Sequence, residues 1–397
     1  MASLLLVLIY VCFISLGLPD SLLGSAWPVL HGEINVPVSY AGIISMTIFI
    51  GTILSSLLAE RLLCRFGAGR VVFVSVAMTA TALFGFSVSD SFLSLLLFSV
   101  PYGLGAGGVD AILNNYVAIH YKAQHMSWLH CMWGVGASIS PYVMSFALVR
   151  LEDWSCGYLI VSVIQMTLSA FLLFSLPAWR INEKNGEGKE NKAKPRPMSF
   201  SEIFSIKGAV ACFLLFFFYC SFELSTSLWA SSYLVFKWGM SAESAAGFAS
   251  MFYIGITLGR FINGFLAMRF SDRTLIRMGL VIICVGVGLL MIPLHVTFAL
   301  CGFVVIGLGC APIYPCIIHM TPSVFGEEKS GAMIGIQMAF AYTGFMIMPS
   351  VFGILSERLT IAFLPVYISA LLFAMMILHE LVIKKTATNS LDKNNKI

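Results

Sequence analysis

The chain has 397 residues, of which 59% are hydrophobic and only 11% are charged, and its formal net charge is +4. An ordinary soluble domain is near a quarter charged, so this composition excludes a soluble globular protein. Apolar runs of about 20 residues recur along the chain, and each suffices for a helix to cross a hydrocarbon layer of about 30 Å. The composition therefore predicts an all-α membrane protein that crosses the bilayer many times.

Twelve apolar runs are predicted to be membrane-spanning helices. They lie at residues 4–28, 38–60, 71–89, 92–119, 128–149, 155–177, 209–235, 245–268, 275–294, 297–320, 331–356 and 361–383. The first run lacks the basic segment that precedes the apolar part of a signal peptide, so we expect it to be retained as a helix. An even number of spans places both termini on the same side of the membrane.

Basic residues are distributed unevenly over the predicted loops. Of the 23 Lys and Arg, only Arg150, Lys237 and Arg358 fall in the loops on the side opposite the termini. The positive-inside rule therefore predicts that both termini are cytoplasmic. Since topology accounts for the positive charge, no nucleic-acid partner is expected.

A polar segment interrupts the apolar pattern between the sixth and seventh runs. Residues 180–208 are rich in Gly, Pro and charged residues, which is typical of a cytoplasmic linker. The predicted domains are therefore a six-helix bundle at 1–179, this linker, and a second six-helix bundle with a short cytoplasmic tail at 209–397.

The two predicted bundles carry similar segments in the same order. "IGTILSSLLAERLLCRF", from Ile50, aligns with "IGITLGRFINGFLAMRF", from Ile254. At the same offset "GLGA", from Gly103, aligns with "GLGC", from Gly307. Two parallel repeats about an axis normal to the membrane are typical of transporters, in which the solute site lies at the repeat interface.

Four ionisable side chains fall near the middle of predicted spans: Asp20, Asp110, Glu223 and Arg260. With a rise of about 1.5 Å per residue they lie within about 6 Å of the midplane. An ionisable group there costs about 2.5–3.5 kcal/mol on insertion scales. One arginine cannot neutralise three acids, so at least one is expected to spend part of its time protonated. We therefore predict the three acids as proton-coupling residues.

Some of these charges have a second interpretation. Asp20 follows Pro19, so its carboxylate could instead satisfy backbone groups freed at a kink. The long side chain of Arg260 could extend to the cytoplasmic surface or pair with a carboxylate. Of these roles, a structural or gating salt bridge is the one we expect for Arg260.

The overall pattern resembles the major facilitator superfamily, through its twelve helices, repeated halves and basic central loop. The loops "RFGAGR", at 65–70, and "RFSDR", at 269–273, resemble that superfamily's loop signature. "PDSLLGSAWP" in helix 1 and "VDAILNNYV" in helix 4 are similar to the fucose permease branch of sugar–proton symporters. In that branch helix 1 carries an Asp, and helix 4 carries a carboxylate followed four residues later by Asn, here Asp110 and Asn114.

This resemblance implies a sugar site of hydrogen-bonding and aromatic side chains, which agrees with the few placed polar groups of most ligand pockets. The predicted substrate-binding residues are Asp20, Trp27, Asn114, His130, Trp133, Glu223, Trp229, Asn263, Gln337 and Tyr342. Three positions depart from the branch. Amides are expected at His130 and Trp133, which puts fucose itself in doubt as substrate, and a Pro is expected at Asn115.

The same resemblance implies a cytoplasmic latch that closes in one state of the transport cycle. Glu60, Arg70, Asp272 and Arg273 lie in or beside the two signature loops and are predicted as gating residues, together with Arg260. A charged side chain there can meet the end of a neighbouring helix in one state only. His120, His125 and His319 lie near cytoplasmic ends, where a solvated imidazole is expected.

The function predicted from these observations is a secondary transporter, not an enzyme, that imports a monosaccharide or similar small polyol with protons. No nucleophile–base pair, ATP-binding loop or set of metal ligands stands out in the spans, so no catalytic residue, metal or cofactor is expected. The expected partners are the solute, the proton and the lipid bilayer, and the expected form is a monomer in a bacterial inner membrane.

Other functions share these features. A proton-coupled antiporter that exports a drug or metabolite would use the same acids. A receptor would bind solute without transporting it and would signal through the central loop. Sodium coupling is also open, because hard cations favour carboxylate and carbonyl oxygens.

Overall fold

The computed structural model describes residues 2–20, 22–37, 40–186, 198–240 and 242–394. Within these ranges, 11 helical stretches are long and apolar enough to cross a membrane. A shorter apolar helix, Met251–Leu266, occupies the place of the remaining predicted span. The protein is an all-α membrane protein with twelve transmembrane helices in two six-helix repeats.

The chain divides into two compact units. The first comprises Met1–His120 and Leu129–Pro197, and the second comprises Tyr121–Trp128 and Met198–Ile397. The segment Tyr121–Trp128 therefore groups with the second unit, although it lies within residues 1–179, the predicted first bundle.

The predicted linker at 180–208 is partly helical where the structure describes it. The last helix of the first unit continues to Gly186. Residues 187–197 of the linker lie outside the described residues. A single capped helical turn, Phe200–Ser205, follows, with Ser199 accepting a hydrogen bond from the Glu202 backbone N–H.

The first six spans are built from seven helices, because the first span is broken. The helices are α1 (Ala2–Gly17), α2 (Leu22–Glu33), α3 (Tyr40–Phe66), α4 (Ala68–Ser87), α5 (Phe92–His120), α6 (Ala123–Phe146) and α7 (Trp154–Gly186). A π-helical turn, Ala147–Leu151, follows α6. The break between α1 and α2 falls at Pro19, which has no backbone N–H to donate a helical hydrogen bond.

The second set of spans is arranged similarly and also contains one broken span. Its helices are α8 (Phe200–Ser205), α9 (Ala209–Trp238), α10 (Ala242–Leu266), α11 (Asp272–Leu290), α12 (Val296–Cys310), α13 (Ile313–Phe325), α14 (Glu327–Arg358) and α15 (Leu364–Asn394). The break between α12 and α13 falls at Pro312. A 3-10 turn, Ile361–Phe363, precedes α15.

Equivalent glycines pack helices closely in both units. In the first unit a Cβ at Gly103 of α5 would collide with the carbonyl oxygen of Ile48 in α3. In the second unit a Cβ at Gly307 of α12 would collide with the carbonyl oxygen of Phe252 in α10. Gly103 corresponds to Gly307 and Ile48 corresponds to Phe252 at the same offset that aligns the two repeats. Small residues that admit a neighbouring backbone are how membrane helices approach each other.

We predict that Gly103→Ala and Gly307→Ala each destabilise the protein, because an added methyl group meets backbone that cannot rotate away. Overpacking of this kind costs about 1–3 kcal/mol, and the thermal unfolding midpoint of purified protein should fall accordingly. Gly42→Ala is the matched control, since nothing lies within 4 Å of its Cβ position. An equal midpoint for Gly103→Ala and Gly42→Ala would contradict this account of the packing.

Candidate functional site

Asp20 is an exposed carboxylate at the break between α1 and α2. Its Oδ2 accepts a hydrogen bond from Trp133 Nε1 at 2.8 Å. Its Oδ1 accepts one from the Tyr102 hydroxyl at 3.3 Å. Both donors are neutral, so the carboxylate is held in place by groups that do not cancel its charge.

Close helix packing places Trp133 beside Asp20. A Cβ at Gly17 of α1 would collide with the Trp133 carbonyl oxygen in α6. A Cβ at Gly136 of α6 would collide with the Ile14 carbonyl oxygen in α1. Reciprocal glycines thus let α1 and α6 touch along their backbones, and this contact brings the indole within reach of the carboxylate.

Asp110, Asn114 and His130 form a buried hydrogen-bonded chain in the first unit. Asn114 Nδ2 donates to Asp110 Oδ1 at 2.7 Å, one helical turn away on α5. His130 Nε2, on α6, lies 3.0 Å from Asn114 Oδ1. Asp110 is 3% exposed, Asn114 is fully buried and His130 is 5% exposed. The Asn114 amide therefore contacts both Asp110 and His130, and it couples the hydrogen bonding of these two side chains.

The orientation of the Asn114 amide fixes the hydrogen on His130. Because the amide nitrogen faces Asp110, the amide oxygen faces His130 and accepts a hydrogen bond from it. His130 Nε2 therefore carries a hydrogen in this arrangement. The imidazole also meets the Phe13 ring edge to face, with centroids 5.3 Å apart.

In the second unit Glu223 of α9 is paired with Arg260 of α10. The Arg260 guanidinium lies 3.7 Å from Glu223 Oε1, and the two side chains are 3% and 10% exposed. The Tyr219 hydroxyl, one turn before Glu223, donates to Glu223 Oε2 and also lies 3.0 Å from the Cys310 carbonyl oxygen. The Glu223 carboxylate therefore has a cation as partner.

The remaining aromatic candidates have contacts within their own units. Trp27 is buried in the apolar core of the first unit. Trp229 is half-buried, and its Nε1 donates to the Pro349 carbonyl oxygen at 3.0 Å. Tyr342 is half-buried, with its ring 6.1 Å from that of Phe345.

The two amide candidates of the second unit are buried in contacts within that unit. Gln337 is fully buried; its Nε2 donates to Thr321 Oγ1 at 3.0 Å and lies 3.1 Å from Cys212 Sγ. Asn263 is 2% exposed, and its Nδ2 donates to Ser127 Oγ at 2.7 Å. Both amides thus hold helices together in the structure described.

The predicted gating residues occupy different environments near helix ends. Glu60 is half-buried at the end of α3, and Arg70 is exposed at the start of α4. Asp272, at the start of α11, accepts at 2.7 Å from His319 Nδ1 on α13. Arg273 is half-buried beside it. His319 was expected to be solvated, and the structure instead places it 21% exposed against this carboxylate.

The structure places Asp20 against Trp133, and it joins Asp110, Asn114 and His130 in one hydrogen-bonded cluster. Tyr102 and Tyr219 belong to the acid clusters but were not predicted from the sequence. Tyr219 could have been found, because it precedes Glu223 by four residues and so shares its helix face. Tyr102 is distant from Asp20 in sequence, and no local pattern links the two. In the part of the chain that the structure describes, no group of three His, Cys, Asp or Glu could hold a metal ion.

Comparison with known proteins gives a consistent result. The family model of the Major Facilitator Superfamily matches residues 9–250 and 211–396. Bypass of stop codon protein 6 of Saccharomyces cerevisiae is 24% identical over 89% of this chain and 77% of its own length.

Two solved structures of sugar symporters share the fold. The Escherichia coli fucose:proton symporter matches with a TM-score of 0.74 and 14% identity, over 96% of this chain and 98% of that one. A proton:xylose symporter matches with a TM-score of 0.78 and 11% identity, over 96% of this chain and 94% of that one.

We predict that Arg260→Leu is strongly destabilising, because it leaves the Glu223 carboxylate buried without its cation. Breaking one side of a buried pair costs about 3–5 kcal/mol. The double variant Arg260→Leu/Glu223→Gln removes both charges and should recover much of the loss in thermal midpoint. Arg150→Leu, at an exposed arginine, is the control. A double variant no more stable than Arg260→Leu would show that the two charges do not interact.

Proposed function

Since the chain belongs to the major facilitator superfamily, we propose that it is a proton-coupled symporter of a monosaccharide or similar small polyol. As a member it is a multi-pass membrane transporter and not an enzyme. Symport by alternating access requires one residue set that responds to the proton and one that responds to the solute. The proposal assigns both to the clusters around Asp20 and Asp110.

The observation that carries the proposal is the contrast between the two acids of the first unit. Asp20 is exposed and accepts hydrogen bonds from an indole and a phenol. Asp110 is buried and accepts from a neutral amide. The two hydrogen-bond donors of Asp20 are neutral, so a proton can bind this carboxylate without displacing either of them as a charged partner.

Glu223 has a different role in the proposed mechanism. Glu223 is buried beside Arg260, so loss of either charge would leave the other buried without a counter-charge. We therefore assign the main proton-coupling roles to Asp20 and Asp110. Glu223 contributes from the second unit, and Arg260 is a gating residue whose partner changes during the cycle.

The environment of Asp20 supports a sugar as the solute. An exposed carboxylate accepts hydrogen bonds from hydroxyl groups, and the half-buried indole of Trp133 offers an apolar face beside it. A few placed polar groups beside an apolar surface are typical of small-molecule sites. The shared fold with two sugar–proton symporters agrees with this class of solute.

Coupling in this proposal arises from competition for the Asp20 carboxylate. A solute hydroxyl that binds Asp20 displaces the Trp133 N–H, and a proton on Asp20 changes which of its oxygens can accept. Proton and solute can drive the conformational change only through different affinities for the two states. The proposed direction is import, with the proton released to the more alkaline cytoplasm.

The remaining assignments complete the proposal. Trp27, Trp229, Asn263, Gln337 and Tyr342 are proposed to contact the solute in another state of the cycle. Asp272, paired with His319, is proposed to act in the cytoplasmic latch with Glu60, Arg70 and Arg273. The protein is proposed to be a monomer in a bacterial inner membrane, with both termini cytoplasmic.

Liposomes loaded with a pH-sensitive dye test this function directly. Hexoses, deoxyhexoses and polyols are added one at a time, with and without sodium, to liposomes that contain the purified protein. We expect internal acidification on addition of one class of solute, independent of sodium, because each transported molecule brings a proton.

Two variants separate the proposed role of Asp110 from general effects. Asp110→Asn keeps the shape of the side chain but cannot exchange a proton, so it should abolish the acidification. Asp90→Asn is the matched control, because Asp90 is exposed in the turn between α4 and α5. Solute uptake with no acidification in the parent protein would contradict proton symport, and silence across the panel would contradict the sugar assignment.

A further inference from the structure

Pro19 leaves one carbonyl group of α1 without its helical donor. In an α-helix the carbonyl oxygen of residue i accepts from the N–H of residue i+4. The donor for Ser15 would be residue 19, which is a proline and has no N–H. The ladder is intact just before this point, since the Leu18 N–H donates to the Ile14 carbonyl oxygen at 3.1 Å.

A side chain from another helix replaces the missing donor. Gln165 of α7 directs its Nε2 to the Ser15 carbonyl oxygen at a distance of 2.8 Å. Gln165 is 2% exposed and Ser15 is 3% exposed, so water does not compete for this bond. An unsatisfied carbonyl group at membrane depth costs several kcal/mol, which makes this contact a determinant of the local backbone.

The Ser15 carbonyl group, which accepts from Gln165, lies next to the turn that contains Asp20. The Asp20 N–H donates to the Gly17 carbonyl oxygen at 3.3 Å, in place of the usual bond to residue 16. Gln165 also lines a cavity of about 10 Å³ together with Pro19 and Tyr102, and Tyr102 donates to Asp20. Gln165 is thus connected to Asp20 through the backbone of α1, and it lines the same cavity as Tyr102, which donates to Asp20.

We propose that Gln165 is a positioning residue for Asp20, which replaces the backbone donor lost at Pro19 and so holds the carboxylate against Trp133 and Tyr102. Its importance for transport rests on the function proposed for Asp20. The structural part of the proposal does not, since it concerns only where the carboxylate is held. In this proposal the Gln165–Ser15 hydrogen bond fixes the backbone at the Pro19 break and thereby the position of Asp20.

The test uses a membrane-permeant carbodiimide, which modifies carboxyl groups in their protonated form. Labelling of Asp20 is measured at one pH by mass spectrometry of the full-length protein, with Asp110 as internal reference. Gln165→Met removes the donor at nearly constant volume. Ser162→Ala is the matched control, because it removes another buried α7 hydrogen bond, to the Ala80 carbonyl oxygen at 2.9 Å.

We expect Gln165→Met to increase Asp20 labelling by about threefold, the size of effect that loss of one hydrogen bond produces. The reason is that a displaced carboxylate loses donors that favour its ionised, unreactive form. Ser162→Ala should leave Asp20 unchanged, and neither variant should alter Asp110.

The background Pro19→Ala makes the test specific. Alanine at this position supplies the missing N–H, so Gln165→Met should have little effect in that background. If Gln165→Met alone does not fold, recovery of folded protein in the double variant supports the proposal. Unchanged Asp20 labelling in Gln165→Met, or an equal effect of Gln165→Met in both backgrounds, would overturn it. Because labelling needs no solute, this outcome is separate from success or failure of the sugar-uptake experiment.

Discussion

Inside a lipid bilayer the polar groups of the backbone must find their partners within the protein, and buried charges are costly unless they are paired. The Ser15 carbonyl group, orphaned by a proline, receives an amide N–H from α7. Glu223 receives a guanidinium and a phenol. Asp110 receives the amide of Asn114. These polar groups of the membrane spans are thus held in small clusters, and two of the clusters contain acids.

The two repeats share a backbone arrangement but differ in their electrostatics. Equivalent glycines, Gly103 and Gly307, let equivalent helices approach within each unit. The acids do not follow this symmetry, because Asp20 and Asp110 accept hydrogen bonds from an indole and an amide, whereas Glu223 is paired with Arg260. Close packing at these glycines is therefore similar in the two units, whereas the hydrogen-bond and ion-pair partners of their acids differ.

Much of the fold could be predicted from the sequence, because membrane spans depend on local hydrophobicity. The twelve spans and the repeat required only runs of apolar residues and an offset between similar segments. The Asp110–Asn114 contact was foreseeable because it lies within one helical turn. Residues in the same span as their partner are therefore the ones that sequence analysis identifies most readily.

Contacts between helices distant in sequence could not be predicted in this way. Nothing near Tyr102 or Gln165 indicates that one reaches Asp20 and the other Ser15, since both contacts depend on how helices pack. Gln337 was predicted to bind substrate from its polarity and its mid-span position, and that role stays a prediction; in the structure its side chain donates to Thr321. Residue type shows that a polar group in a span needs a partner, whereas packing decides which partner it has.

The central claim, that a proton gradient drives solute entry, is tested most directly by accumulation. Liposomes containing the protein are given an acidic exterior, and the internal concentration of a radiolabelled substrate sugar is followed with and without a protonophore. The account predicts accumulation above the external concentration, which the protonophore abolishes and which sodium does not alter. Uptake that stops at equal concentrations, or that requires sodium, would contradict it.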